Sequence, residues 1–185
     1  AFLWTLGLLP FADPSGCDLM LQDFDSIEDA NVGAGLLCSH ADIGTPKTRI
    51  CSKWIEARGF RTKICERPFD KTTRRLPNEP ALALCGFDKP EPRKILEGAG
   101  FAQILECGLG GSINDFDLIH IHNFPGRHSA KNLWSQANLP PALNEELIQA
   151  LSPPDEVCGA LAIETAGKSV STSFIGAMAS AAIFG

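Results

Sequence analysis

Short apolar runs alternate along this chain with longer stretches of helical period, and that alternation predicts its elements. Leu19, Met20 and Leu21 read as a buried strand that runs out at Asp23-Phe24-Asp25. After a polar stretch with glycines, Thr45 suits a helix N-cap, Pro46 the first helical position, and Gly59 the stop. Ile50, Cys51, Trp54 and Ile55 fall on one stripe of that helix. RTKICERPF (61–69) reads as a second strand, followed by a charged, proline-containing loop over 70–80. ALALCGF (81–87) is a short buried strand of the kind parallel sheets use. It delivers Asp88, then KPEPR and a helix expected over 94–99. Another strand over 103–107 opens into the GLGG of 108–111, and FDLIHIHNF (116–124) alternates through its middle. Helices are expected over 1–9, 129–136, 143–151 and 171–184, with the SPPD of 152–155 a rigid elbow before Cys158.

Strands interleaved with helices predict an α/β fold: a Rossmann-like, largely parallel sheet flanked by helices, with some antiparallel strands in the second half. In a dinucleotide-type sheet, a strand and a glycine-rich turn stand about 20 residues before the acid that meets the ribose. Asp23 is 23 residues into the chain. The reading therefore expects that first strand and turn to lie at or before residue 1, with residues 1–185 forming one domain.

Composition narrows the function classes. With 44% hydrophobic residues the chain is globular, and its net charge of −6 argues against broad nucleic-acid binding. No apolar run approaches the roughly 18 residues of a membrane span. Seven cysteines without a CxxC pair argue against a four-cysteine zinc site, and a reducing cytoplasm is the expected compartment.

Three residues carry the chemistry of the first half. An acid at a strand's carboxyl end, such as Asp23, can accept hydrogen bonds from ribose hydroxyls, although acids also follow strands as ordinary turn residues. Lys47 sits in a helix's first turn, where a cation opposes the macrodipole by roughly a few tenths of a kcal/mol unless an anion lies there too. Asp88 ends a later strand, where a carboxylate can hold phosphate-bound Mg²⁺ or can simply cap a helix and pair with Arg93. Strand, carboxylate and lysine-bearing helix mouth together point to a phosphorylated ligand.

DFDSIEDAN, DIGTPK, the strand-borne Asp88 with Arg93, and Cys158 followed by SFIGAMASAA occur in an order that resembles the ubiquitin-activating-enzyme-like superfamily, the group containing MoeB, ThiF and HesA. The resemblance spans the chain, loosely over 108–150. It implies that Asp23 binds the ATP ribose, Asn31 and Lys47 contact phosphate, and Asp88 holds Mg²⁺. The implied reaction is adenylation of the C-terminus of a ubiquitin-like or sulfur-carrier protein, followed in part of the family by a thioester or persulfide on the cysteine matched by Cys158. Homodimers or heterodimers are the implied assembly. Where the family has Arg-Gln, this chain has Ala34-Gly35, which motivates a catalytically inactive interaction or heterodimer subunit as an alternative. A nicotinamide-dependent oxidoreductase is a third, since Asp23 suits that cofactor's ribose, but it leaves Lys47 and Asp88 without a task.

Two features stand outside that pattern. His120 and His122 project from one face of their strand, a spacing that can bind a metal, though two histidines alone on a sheet face are ordinarily packing or surface residues. The GLGG lacks full GxGxxG spacing and serves tight turning or close backbone approach better than it cradles a dinucleotide. For Cys158, nucleophilic use requires a cation or helix start beside the thiol, and only Lys168 is a local candidate.

Overall fold

A computed structural model describes residues 1–109, 118–135 and 173–184. The first unit is β1 (Asp18–Gln22), α3 (Lys47–Glu56) and β2 (Arg61–Cys65), with the short α1 (Phe2–Leu6) ahead of it and α2 (Asp29–Ala34) in the connection. β1 and β2 pair in parallel from Asp18↔Arg61 to Gln22↔Cys65. The second unit is β3 (Leu82–Cys85), α4 (Pro90–Lys94), β4 (Gln103–Leu109), β5 (Ile119–Phe124) and α5 (Ala130–Ser135). Here β3 and β4 are parallel and β4 and β5 antiparallel. The expected mixture is present, divided among the described residues between a two-stranded and a three-stranded ladder. α6 (Ser173–Phe184) packs beside α1 and against β4 and β5.

Most expected elements that fall on described residues occur where the periodicity puts them, and two shift for local reasons; the helix expected over 143–151 and the elbow at 152–155 lie outside the described residues. The helix after Asp88 begins at Pro90, whose ring presets the helical φ, and gives way to a 3-10 turn over Leu96–Ala99 that ends at Gly100 with φ 85°. The N-cap of α3 is Pro46 rather than Thr45. The buried face of α3 also differs from the apolar stripe. Ile55 is fully buried, but its buried companions are Thr48 and Ser52, while Ile50, Cys51 and Trp54 are half-buried. β2 is the cause: Ser52 Oγ lies 2.6 Å from Thr62 Oγ1, so a hydroxyl pair replaces an apolar contact between helix and strand.

The main core gathers Cys85, Leu96, Ile104, Phe124, Ala130 and Trp134, with Phe69 and Phe87 packed against it. Around α3 the packing depends on one missing side chain. A Cβ at Gly7 would run into the Trp54 ring and come within 2.7 Å of Arg58 Cδ. Arg58 in turn lies over that ring, its Cζ 3.3 Å from the centroid. Gly7→Ala is expected to destabilise the fold by about 1–3 kcal/mol through overpacking, read as a lowered urea midpoint. A midpoint equal to that of the parent would mean that α1 does not press on α3 in solution. Among the described residues no helix is long and apolar enough to cross a membrane.

Candidate functional site

Of the residues named for phosphate chemistry, Asp23 and Lys47 lie at the carboxyl end of β1, whereas Asn31 sits in α2 and Asp88 follows β3 in the other ladder. The chain leaves β1 at Gln22, and Asp23 Oδ1 accepts a hydrogen bond from the Asp25 amide at 2.9 Å, which turns the backbone immediately. The segment after the turn is stitched to the segment before α3. Lys47 N donates to Asp25 O (2.9 Å), Ile27 N to Thr45 O (2.8 Å) and Gly44 N to Ile27 O (2.8 Å), around an antiparallel bridge between Ser26 and Pro46. Gly44 makes the last of these turns at φ 86°, a conformation that favours glycine. The helix mouth is thereby fixed to the strand end by backbone bonds that no single side chain controls.

Lys47 is held in that frame. Its Nζ lies 3.1 Å from Asp25 Oδ2, and its side chain is 28% exposed. Asp23 and Lys47 also share a neighbour in the Cys51 thiol, one turn along α3 from Lys47. Burial pushes that thiol's pKa up; the Asp23 carboxylate adds to the shift and Lys47 opposes it. Asp23 and Lys47 are therefore brought together, and Asp25 is the residue the sequence reading missed. Its signal was the DxD spacing, which returns the second acid to the side of the chain occupied by the first.

Asn31 is half-buried, and its Oδ1 accepts from the Glu28 amide at 2.9 Å in the capping box of α2. Its carbonyl accepts from Gly35 N and from Cys38 Sγ. Here the departure from the family's Arg-Gln acquires a structural meaning. A Cβ at Gly35 would lie 2.7 Å from both Asn31 O and Cys38 Sγ, so this backbone path has no room for a side chain there.

Asp88 is exposed after β3, and no described residue bonds to its carboxylate. The alternative of a capping acid paired with Arg93 does not hold: Lys89 is the N-cap of α4, and Arg93 turns inward. Arg93 Nη2 donates to the Phe87 carbonyl, and Arg93 Nε stands 3.0 Å from Oε1 of Glu106, whose side chain is wholly buried. Glu106 Oε2 is 2.9 Å from His122 Nδ1 across the β4–β5 ladder, where the two residues are directly paired. The sequence signal for this network was a lone acid in the middle of an apolar strand. Lys47, at the mouth of α3 tied to the end of β1, and Asp88, after β3, thus belong to different ladders. Cys158 and Lys168 lie outside the described residues.

Glu106 also bears on a buried thiol. Cys85 pairs with Glu106 in the β3–β4 register, and burial, with the Glu106 carboxylate adding to it, pushes the Cys85 pKa up to about 12. An unfolded thiol ionises near pH 8.5, so the unfolded chain loses this proton first. Stability is unaffected below that pH and falls as pH rises toward the folded value of about 12. The urea midpoint is expected to decline between about pH 8.5 and 10.5, more steeply in the parent than in Cys85→Ala. Parallel profiles would exclude Cys85 as the source.

A family model described as the BilD C-terminal domain matches residues 1–185. The Bacterial E1-like protein BilD of Collimonas sp. (strain OK412) is 37% identical over 183 residues, which are 97% of this chain and 39% of that protein. The chain spans about two-fifths of the length of that curated relative. Among solved structures, E. coli MccB aligns with a TM-score of 0.54 at 16% identity, over 89% of this chain and 45% of that one. MccB with MccA-N7isoASN aligns with a TM-score of 0.55, also at 16% identity, over 89% and 46%. At that identity the likeness is one of fold.

Proposed function

The chain belongs to the BilD C-terminal domain family, and on that premise we propose that it serves ATP-dependent adenylation of the C-terminal carboxylate of a ubiquitin-like or sulfur-carrier protein. The carboxylate attacks the α-phosphorus, the bond to the bridging oxygen breaks, and pyrophosphate leaves. The observation that carries this reading is the position of Lys47, a half-buried cation tied to the end of β1 beside Asp23 and Asp25. Asp23 would take the ribose, Asn31 and Lys47 the phosphates.

Asp88 suits Mg²⁺ by donor chemistry. It is an exposed carboxylate bonded to no described residue, and Mg²⁺ is commonly bound through one or two carboxylates, waters and substrate phosphates. When bound, the ion would neutralise phosphate charge. The chain's own contribution is to orient the triphosphate and to place the Lys47 ammonium where negative charge develops. The Cys158 thiolate would then attack the carrier's acyl-adenylate carbonyl, forming a thioester as AMP leaves, and a second subunit would complete the assembly.

A second reading is favoured by Gly35. The position matching a family side chain has no space for one, and Ala34 supplies no cation. An adenylation fold kept as the inactive member of a heterodimer would tolerate both. ATP–pyrophosphate exchange on the natural polypeptide that carries these residues, with a panel of carrier proteins, separates the two. Carrier-dependent exchange supports the enzyme. An undiminished thiol-sensitive carrier adduct in Cys158→Ala would remove Cys158 from the mechanism.

A further inference from the structure

We propose that His120 and His122 form a two-imidazole chelate for a divalent transition-metal ion of the zinc, copper or nickel class, separate from the nucleotide site. Residues two apart on a strand share a face. The two rings are nearly parallel, 7° between planes, with centroids 6.4 Å apart. Side-chain periodicity alone makes such a pair unremarkable. What distinguishes it is the support beneath His122.

Glu106 is fully buried and accepts from His122 Nδ1 at 2.9 Å, while its other oxygen faces Arg93 Nε at 3.0 Å. A carboxylate only accepts, so Nδ1 carries a ring proton, and in the neutral ring Nε2 is the atom that offers a lone pair. No described residue bonds to Nε2. A carboxylate holding one ring nitrogen while the other faces a metal is the arrangement that orients histidine ligands and raises their basicity. The Trp134 ring meets His122 edge-on at 5.1 Å and Phe124 stacks beyond it at 6.2 Å, which fixes the imidazole plane. His120 is exposed and free to turn its ring toward the same point. One ligand is therefore preorganised and the other adjusts.

Neutral imidazole nitrogens select zinc, copper or nickel over magnesium or calcium, which prefer oxygen. Arg93 does not spoil the site electrostatically, because Glu106 already neutralises it. Among the described residues no group of three or more metal-ligating side chains occurs, so those residues offer two ligands. The site is an open, exchangeable one.

The test is a Ni²⁺ titration of the chain followed by histidine ring NMR, which resolves its four histidines. Paramagnetic broadening is expected to strike His120 and His122 first and together, saturating at one ion per chain, with His40 and His128 spared. His120→Asn is expected to weaken binding at least about tenfold with the fold unchanged, and Glu106→Gln by about 10–100-fold. Because Glu106→Gln disturbs a buried pair, the exposed His120 variant decides if that chain does not fold. Broadening of His40 or His128 at the same ion concentration overturns the proposal. So does undiminished binding by His120→Asn, or Ni²⁺ taken up with all four histidine signals sharp.

Discussion

Lys47→Ala is expected to lower carrier-dependent ATP–pyrophosphate exchange by about 100- to 1000-fold while leaving the fold intact. The magnitude is that of removing one preorganised donor from developing charge, about 2.7–4 kcal/mol. Two observations support that role for Lys47. Its backbone amide is bonded to the Asp25 carbonyl, so the root of the side chain cannot drift from the strand end. Its ammonium is held at the strand end by Asp25 Oδ2 at 3.1 Å. The fold should not suffer, because a partly exposed ion pair contributes at most about 1 kcal/mol and the backbone stitching between 25–27 and 44–47 survives the substitution. Asp25→Asn supplies the contrast. It releases the ammonium without removing it, so exchange should fall far less than in Lys47→Ala. Exchange within threefold of the parent in a folded Lys47→Ala chain would take the lysine out of the chemistry, and the adenylation reading with it.

Much of this architecture is legible in the residues, for identifiable physical reasons. β1, β2 and β3 are bounded by acids, glycine or proline; apolar content declares β1 and β3, and partial alternation declares β2. Lys47 stands out because a cation at a helix start is locally unfavourable and asks for an anion. The residues that escape sequence reading are those whose partner is distant. Thr48 and Ser52 are buried because Thr62 and Glu66 on or beside β2 take their hydroxyls, and helical periodicity contains nothing about the strand across from it. Period two likewise says that His120, His122 and Phe124 share a face, but not that this face meets Trp134 while Ile121 stays 43% exposed. Glu106 was visible only as an oddity. Its meaning required Arg93 from one helix and His122 from one strand, 13 and 16 residues away in sequence and in contact through the fold.

Glu106→Ala should be among the most destabilising single changes available, at about 3–5 kcal/mol in urea unfolding. The pair sits in the core region, with the Glu106 side chain wholly buried and that of Arg93 only 16% exposed. Deleting the carboxylate leaves the guanidinium facing Trp134 at 5.7 Å and the Phe87 carbonyl, with no counter-charge and little water. It also strips His122 Nδ1 of its acceptor. The large loss is not a measure of what the pair contributes to stability, since desolvating two charges offsets most of their attraction. Removing both partners separates these quantities. Arg93→Met with Glu106→Leu keeps volume and abolishes both charges, so the double variant should be more stable than Glu106→Ala by several kcal/mol, a strongly non-additive cycle. If instead the double variant is as unstable as the sum of its singles, the two charges are not coupled and the loss in Glu106→Ala has another source. If Glu106→Ala costs less than about 1 kcal/mol, water reaches Arg93 in solution and the pair is not buried.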